Sequence, residues 1–192
     1  MNAPDVVSQR TEWINKLPEL DKNKLVFLDE SGINTDMTRI YGRSLGGSRC
    51  VDKTPLIKPQ STTILSSVRL NGKTAFTKYQ GGTTCERFTD YLKNVLAPTL
   101  APDDIVVMDN MRTHHAKVVK KVIDELKINV IYLPPYSPDY NPIEKMWSKI
   151  KSVLRKLKAR SASDLKAAVD TAFNSVSAND CAGWFDSCFI RR

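Results

Sequence analysis

The sequence lacks the patterns of a zinc site and of a membrane protein. Its four cysteines form no CxxC pair and its two histidines are adjacent, so no zinc-ligand spacing exists and reduced structural thiols are expected. No run approaches the roughly 18 apolar residues of a membrane-spanning helix, and the first residues contain no continuous apolar signal segment. The sequence therefore predicts a cytoplasmic protein without a membrane partner.

A glycine pattern typical of nucleotide binding is also missing. The segment YGRSLGGSR at 41–49 contains no GxxxxGK[ST] sequence and no GxGxxG turn between a strand and a helix. We interpret it as a surface loop or, because it is basic, as a loop that contacts phosphate.

Positive charge is in excess. The 192 residues include 29 Lys and Arg against 21 Asp and Glu, which gives a net charge of +8. Such a balance favours a polyanionic partner such as nucleic acid. The length and the apolar fraction of 41% are those of one soluble domain with a substantial core.

Two short apolar runs each end in an aspartate. Residues 24–29 (KLVFLD) end at Asp29, and residues 105–109 (IVVMD) end at Asp109. Each run predicts a buried strand that delivers a carboxylate to its carboxyl end. Either aspartate taken alone could instead cap the turn that follows it.

A third acid lies at the start of a predicted helix. Asn141 is a good N-cap, Pro142 suits the first helical position, and Glu144 is the third residue, with 34 residues between it and Asp109. Glu144 alone could be the capping-box partner of Asn141. The helix then becomes strongly basic, which predicts phosphate contacts or, alternatively, a solvated charged face. The cations that we predict to contact nucleic-acid phosphates are Lys145, Lys149, Lys151 and Arg155.

The three acids together predict metal-dependent chemistry. Carboxylates that are brought together repel one another, and burying them without a counter-charge is costly. Bound divalent cations explain such a cluster, because Mg²⁺ prefers hard oxygen ligands and two ions can act on both sides of a phosphodiester displacement. The residues Asp29, Asp109 and Glu144 therefore predict metal-assisted phosphoryl transfer.

The order of the remaining elements predicts an α/β fold. Asn71-Gly72 predicts a hairpin between strands at 62–70 and 73–79, and Thr83 with Glu86 predicts a capping box at the start of a helix. The other predicted helices and strand lie at 5–17, 114–127, 129–133, 142–160 and after Ser161. Strands and helices in this order indicate a mixed five-stranded sheet flanked by helices.

Four segments match the motifs of a known family. They are LVFLDESG at 25–32, YGRS at 41–44, VVMDNMRTHHAK at 106–117 and YLPPYSPDYNPIEKMWSKIK at 132–151. On these residues the chain resembles the DDE transposases of bacterial insertion sequences related to the mariner elements. The 34-residue gap between the last two acids agrees with that family's spacing, and the long last segment is the most specific match.

The resemblance implies a ribonuclease H-like DDE catalytic domain at 23–192, preceded by an N-terminal helical arm at 1–22. It makes Asp29, Asp109 and Glu144 the triad that binds two Mg²⁺ (or Mn²⁺) ions.

Two further site residues come from the resemblance. His114 would lie near the metals and the scissile phosphate as a catalytic residue, and Asn110 would be among the DNA contacts. His115 has no counterpart in the family motif and is expected to face solvent.

The resemblance also implies the reaction and the partners. Family members cut double-stranded DNA at the ends of the element and join the freed 3′-hydroxyls to a target, as homodimers or larger assemblies. Relatives carry an N-terminal helix-turn-helix part, which we expect to be fused or separately encoded here, in a bacterial cytoplasm at the nucleoid. A related two-metal nuclease of the ribonuclease H or resolvase type, or an inactive DNA-binding remnant, is the alternative.

Overall fold

A five-stranded mixed sheet forms the centre of the molecule. The structure is a computed structural model that describes residues 4–39, 41–53, 56 and 59–189, the side chain of Arg112 excepted. The strands are β1 (Leu25–Asn34), β2 (Ser61–Arg69), β3 (Thr74–Gln80), β4 (Ile105–Met108) and β5 (Asn129–Tyr132). Their order is β3-β2-β1-β4-β5, with β1, β2 and β3 antiparallel and β1, β4 and β5 parallel. The predicted sheet is confirmed.

Helices cover both faces of the sheet. They are α1 (Pro4–Lys16), α2 (Cys85–Tyr91), α3 (Lys117–Glu125), α4 (Pro142–Leu157), α5 (Ala162–Asn174) and α6 (Ala178–Phe189). In the described ranges no helix is long and apolar enough to cross a membrane.

Strand β1 supplies both cores because its side chains alternate between the two faces. Leu25 and Phe27 join the cluster formed with α1, α4, α5 and α6, whereas Val26 and Leu28 join the cluster formed with α2 and α3. All four side chains are fully or almost fully buried. A strand buried on both faces explains the unbroken apolar run that precedes Asp29.

The hairpin between β2 and β3 forms where the Asn-Gly pair predicts it. Gly72 has a φ of +85°, and a Cβ there would lie 2.8 Å from the backbone nitrogen of Ala178. Only glycine suits both the backbone conformation and this close approach. The turn therefore packs directly against the start of α6.

Some elements differ from the predictions. Strand β1 continues beyond Asp29 to Asn34, because β2 pairs with it along this whole length. Helix α2 is capped by Thr84, whose side chain accepts from the N–H of Arg87, so the predicted capping box at Thr83 is wrong. Helix α3 begins at Lys117, after a short turn that contains His114. The tail forms helix α6, which we had not predicted.

Asp180 connects α6 to α4. Its carboxylate accepts hydrogen bonds from Lys149 Nζ (2.5 Å) and from the N–H and hydroxyl of Ser177 (2.9 and 2.6 Å). The bond from Lys149, followed by those from Ser177, lowers the pKa of Asp180 to about 2. The carboxylate thus caps α6 and ties it to the helix that carries Glu144.

Asp180→Asn should lower the free energy of unfolding at pH 7 by about 1 kcal/mol, the usual value of a helix cap. Because the folded-state pKa of Asp180 lies below the usual 3.8, its contribution is present above about pH 4 and is lost as the pH falls towards 2. Urea unfolding at several pH values should therefore show the deficit shrinking below about pH 4. Asp186→Asn, which breaks the exposed pair with Lys22, is the control; a deficit independent of pH would contradict the assignment.

Candidate active site

Asp29 and Asp109 lie side by side where the parallel pairing of β1 and β4 ends. In the parallel pairing of β1 with β4, Leu28 is opposite Met108, and each aspartate is the next residue along its chain. Neighbouring strands are about 4.8 Å apart, so the register holds the two acidic residues together whatever their side chains prefer.

Glu144 reaches the same place from α4. This helix begins where the sequence predicts, with the Asn141 side chain accepting from the N–H of Ile143 at 3.4 Å and Pro142 at the first position. One cavity of about 430 Å³ is lined by Asp29, Asp109, Glu144, Asn110 and the loop 133–138. The structure thus brings the three predicted acids and Asn110 around one space.

Asp29 is the acid whose ionisation the fold disturbs most. Burial is the main cause that raises its pKa to about 7, and the charges of Glu144 and Asp109 add to the effect. Hydrogen bonds oppose the shift, among them that from Trp147 Nε1 to Asp29 Oδ2 at 3.0 Å. The site therefore holds carboxylates that lack enough positive charge nearby.

Asp109 is held by a buried histidine. His114 Nδ1 donates to Asp109 Oδ1 at 2.9 Å, and the imidazole stacks on Phe88 with centroids 4.6 Å apart. Burial alone lowers the pKa of His114, but the contacts with Asp109 and Glu30 outweigh it and raise the pKa to about 9. The predicted site histidine thus lies directly behind an acid of the cavity.

Glu30 is a site residue that sequence reasoning missed. Its Oε1 lies 3.8 Å from His114 Nε2. Its Oε2 accepts a hydrogen bond from the Thr83 hydroxyl at 2.5 Å, and that hydroxyl also forms a hydrogen bond with the Tyr79 hydroxyl at 2.5 Å. Oε1 of Glu30 and Nε2 of His114 are buried without a hydrogen-bond partner among the described residues. The signal available in the sequence is an acid directly after Asp29, at the end of a predicted strand.

The prediction for His115 is wrong. Its ring is half-buried, lies 4.4 Å from the Tyr132 ring and hydrogen-bonds with the Asn110 side chain. Contact with Tyr132, the last residue of β5, covers part of the ring. His115 thus holds Asn110, the residue that borders the acidic cavity.

The predicted DNA-contacting cations divide between two sides of α4. Lys151 and Arg155 follow Glu144 at helical spacing on one side, where Arg155 borders a shallow cavity with Arg39 and Tyr41. That side therefore continues from the acidic cavity into a basic surface.

The other two cations lie in a groove between α4 and α6. Lys145 and Lys149 border this groove together with Asp180 and Trp184. Lys149 is already paired with Asp180, so its charge is partly balanced within the chain.

The acids of the cavity have the chemistry of a divalent-metal site. Carboxylate oxygens are the ligands that Mg²⁺ and Mn²⁺ prefer, and the raised pKa of Asp29 reflects a site in need of positive charge. Within the described part of the chain, no three His, Cys, Asp or Glu side chains are already grouped to hold one ion. One oxygen of Asp29 and one of Asp109 are instead bonded to Trp147 and His114.

The fold and the cavity define this protein as an α/β domain in which three acids lie around one cavity, where the parallel pairing of the central strands β1 and β4 ends. The sequence profile of the DDE superfamily endonucleases matches residues 24–166, and the chain belongs to this family. The matched range contains all three acids.

Transposases are among its relatives. The transposable element Tcb1 transposase of Caenorhabditis briggsae is 28% identical over 93 residues, which are 46% of this chain and 34% of that protein. The Mos1 transposase paired-end complex with left transposon end has a TM-score of 0.78 at 16% identity over 98% of this chain and 60% of that chain. The catalytic domain of Mos1 mariner transposase has a TM-score of 0.71 at 16% identity, over 96% and 86% of the two chains.

A further likeness is to a structure of the Mos1 catalytic domain with raltegravir and Mg, with a TM-score of 0.73 at 16% identity over 98% and 92% of the two chains. These likenesses confirm the predicted ribonuclease H-like fold. The chain spans 34% of the Tcb1 transposase and 60% of the Mos1 chain in the paired-end complex.

Asp29→Asn should stabilise the metal-free protein at pH 8 by about 2–4 kcal/mol, since a shift of one pKa unit corresponds to 1.36 kcal/mol. The folded-state pKa of about 7 lies above the usual 3.8, so the wild type loses stability as the pH rises between these values while the asparagine variant does not. Urea unfolding in EDTA from pH 4 to pH 8 measures the difference. Asp124→Asn, at an exposed position of α3, is the control, and equal stability of Asp29→Asn and wild type at pH 8 would contradict the shift.

Proposed function

We propose that this chain is the catalytic domain of a DDE transposase from a bacterial insertion sequence. It cleaves DNA at the ends of the element and joins those ends to target DNA. The observation that carries the proposal is the meeting of Asp29, Asp109 and Glu144, from β1, β4 and α4, around one cavity. The transposase named in the sequence relative and the transposon-end DNA named in the structural relative support it.

Two Mg²⁺ or Mn²⁺ ions are the proposed cofactors, held by Asp29, Asp109 and Glu144. Bound ions of this kind activate an attacking oxygen and stabilise the leaving oxygen of a phosphodiester. The Mos1 structures with Mg and with Mn support the choice of metal. The burial of Asp29 beside Glu144 and Asp109, which raises its pKa, supports the same choice from this chain's own residues.

The surrounding residues orient the acids. Trp147 fixes one oxygen of Asp29, and His114 fixes one oxygen of Asp109 while Glu30 faces its second nitrogen. Such bonds hold a ligand in one rotamer, and their removal typically costs 10–100-fold in affinity or activity. His114, which the family resemblance places among the catalytic residues, acts on this basis as a positioning residue through Asp109.

DNA is proposed to approach along α4. Lys151 and Arg155 contact its phosphates next to the acidic cavity, and Asn110, which lines that cavity, also contacts the DNA. Lys145 and Lys149 extend the basic surface into the groove beside α6. Binding that rests on such cations falls steeply as salt concentration rises.

The chemistry consists of two in-line displacements at phosphorus. In the first, water attacks the phosphodiester, its oxygen bonds to phosphorus, and a 3′-oxygen leaves and takes up a proton. In the second, that 3′-hydroxyl attacks a target phosphodiester, loses its proton and displaces the target's own 3′-oxygen. The same acids serve both steps because each exchanges one P–O bond for another.

The proposed assembly is a homodimer on double-stranded DNA, acting at the nucleoid. A helix-turn-helix part, fused or separately encoded, reads the ends of the element, while residues 23–192 form the catalytic domain. The proposed N-terminal helical arm at 1–22 precedes this domain in the sequence.

Glu144→Gln should reduce Mg²⁺-dependent cleavage of a duplex carrying the element's ends by at least about 100-fold, since metal-ion catalysis supplies several kcal/mol of transition-state stabilisation. The affinity for the same duplex in Ca²⁺ should remain within about threefold of wild type, because the basic residues are intact. Gel-resolved cleavage and fluorescence anisotropy provide the two measurements.

Glu125→Gln is the matched control, because Glu125 is an exposed glutamate of α3 paired with Lys121. It should cut like wild type. Undiminished cleavage by Glu144→Gln would remove Glu144 from the site, and wild-type protein that binds end DNA without cutting it in any divalent metal would favour the inactive remnant.

A further inference from the structure

Arg10 makes a concentrated set of contacts with a segment that borders the acidic cavity. The segment is residues 134–141, here called the proline loop because it contains Pro134, Pro135 and Pro138. Arg10 belongs to α1 and lies 126 positions before Tyr136, the first loop residue that it contacts. The contact joins the N-terminal arm to the wall of the candidate active site.

The guanidinium of Arg10 binds four residues of the loop at once. Nη1 donates to the Tyr136 carbonyl (3.3 Å), to Ser137 Oγ (2.8 Å) and to Asp139 Oδ1 (3.0 Å), while Nη2 donates to Asp139 Oδ2 (2.6 Å). The same group lies 4.5 Å from the centre of the Tyr140 ring. A planar fork with five N–H donors suits this combination, whereas the ammonium of lysine cannot reproduce it.

The loop supplies only part of the support that its backbone needs. Its prolines supply no N–H. Donors within the loop reach the carbonyls of Pro135, Ser137 and Pro138, whereas the carbonyl of Tyr136 accepts from Arg10. Tyr136 has a φ of +54°, a conformation that residues other than glycine rarely adopt without surrounding support. Arg10 bonds the carbonyl of this residue and the buried side chain of the next one, Ser137.

The loop leads directly into the metal-binding helix. Tyr136, Ser137 and Pro138 line the cavity together with the three acids, and the loop ends at Asn141, the N-cap of α4. Glu144 is the third residue of that helix. A shift of the loop would therefore move one wall of the cavity and the start of the helix that carries Glu144.

We propose that Arg10 is a positioning residue for DNA cleavage. It holds the proline loop, and through the loop the N-terminal end of α4, in the arrangement that the reaction requires. Helix α1 therefore belongs to the catalytic unit and does more than precede it. The inference rests on the proposed function.

The test compares Arg10→Ala, Arg10→Lys and wild type in two independent measurements. Arg10→Ala should lower the single-turnover rate constant for cleavage of end DNA by about 10–100-fold, the range found when a supporting residue is removed. Its Kd for that DNA should stay within about twofold of wild type. Arg10→Lys should fall between the two, because it keeps the charge but loses the fork.

Hydrogen exchange of the full chain without DNA provides the second measurement. Amides of the proline loop should exchange at least about tenfold faster in Arg10→Ala, while those of β1 and β4 should be unchanged. Lys24→Ala is the matched control. It breaks the ion pair between Lys24 and Asp103 (2.6 Å), which lies at the amino ends of β1 and β4, away from the acidic cavity. It should alter neither the loop exchange nor the cleavage rate.

Cleavage rates and hydrogen exchange together distinguish a failure of the positioning role of Arg10 from a failure of the proposed function. Faster loop exchange in Arg10→Ala together with a full cleavage rate would overturn the positioning role, and so would unchanged loop exchange. Wild-type protein that never cuts DNA would contradict the proposed function, yet exchange would still show whether Arg10 holds the loop. A loss of cleavage matched by Lys24→Ala would reduce Arg10 to a stabilising residue and refute the proposal.

Discussion

The parallel register of β1 and β4 determines where the charges of this protein stand. Because Leu28 and Met108 are paired, Asp29 and Asp109 must emerge together, and no side-chain rotation can take them far apart. Burial and mutual repulsion then raise the pKa of Asp29 to about 7. The fold tolerates this because Trp147 and His114 bond one oxygen of each acid. The strand register thus fixes the positions of the two aspartates, and hydrogen bonds from Trp147 and His114 fix the orientation of their carboxylates.

Helix α4 meets two demands with one sequence. Its apolar face packs on β1 through buried side chains such as Ile143 and Ile150, which fixes the rotation of the helix about its axis. That rotation directs Glu144 towards the cavity, brings Trp147 within 3.0 Å of Asp29, and places Lys151 and Arg155 beyond Glu144 on the solvent side. Packing energy therefore sets the geometry of charged groups that would otherwise repel or disperse.

Features that depend on neighbouring residues can be predicted from the sequence, whereas features that depend on contacts with distant residues cannot. Apolar runs ending in Asp29 and Asp109, and the Asn141 cap, were visible because each is set by its immediate neighbours. The sequence pattern predicts Thr83 as a helix cap. Its hydroxyl instead donates a hydrogen bond to Glu30, 53 residues earlier in the chain, and Thr84 caps the helix. Helix α6 was missed although Cys181, Phe185 and Cys188 have helical spacing, since Gly183 and the polar residues among them weaken that pattern.

The proline loop is the clearest case of a structure that its own sequence cannot complete. Prolines limit its conformations and remove N–H donors, and the positive φ of Tyr136 needs support from surrounding groups. That support comes from Arg10 in α1, on an element that pattern analysis treats as a separate arm. Since the loop forms a wall of the acidic cavity, the order of the cavity depends on a helix from the other end of the chain. A boundary drawn at the first strand would divide groups that the tertiary contacts join.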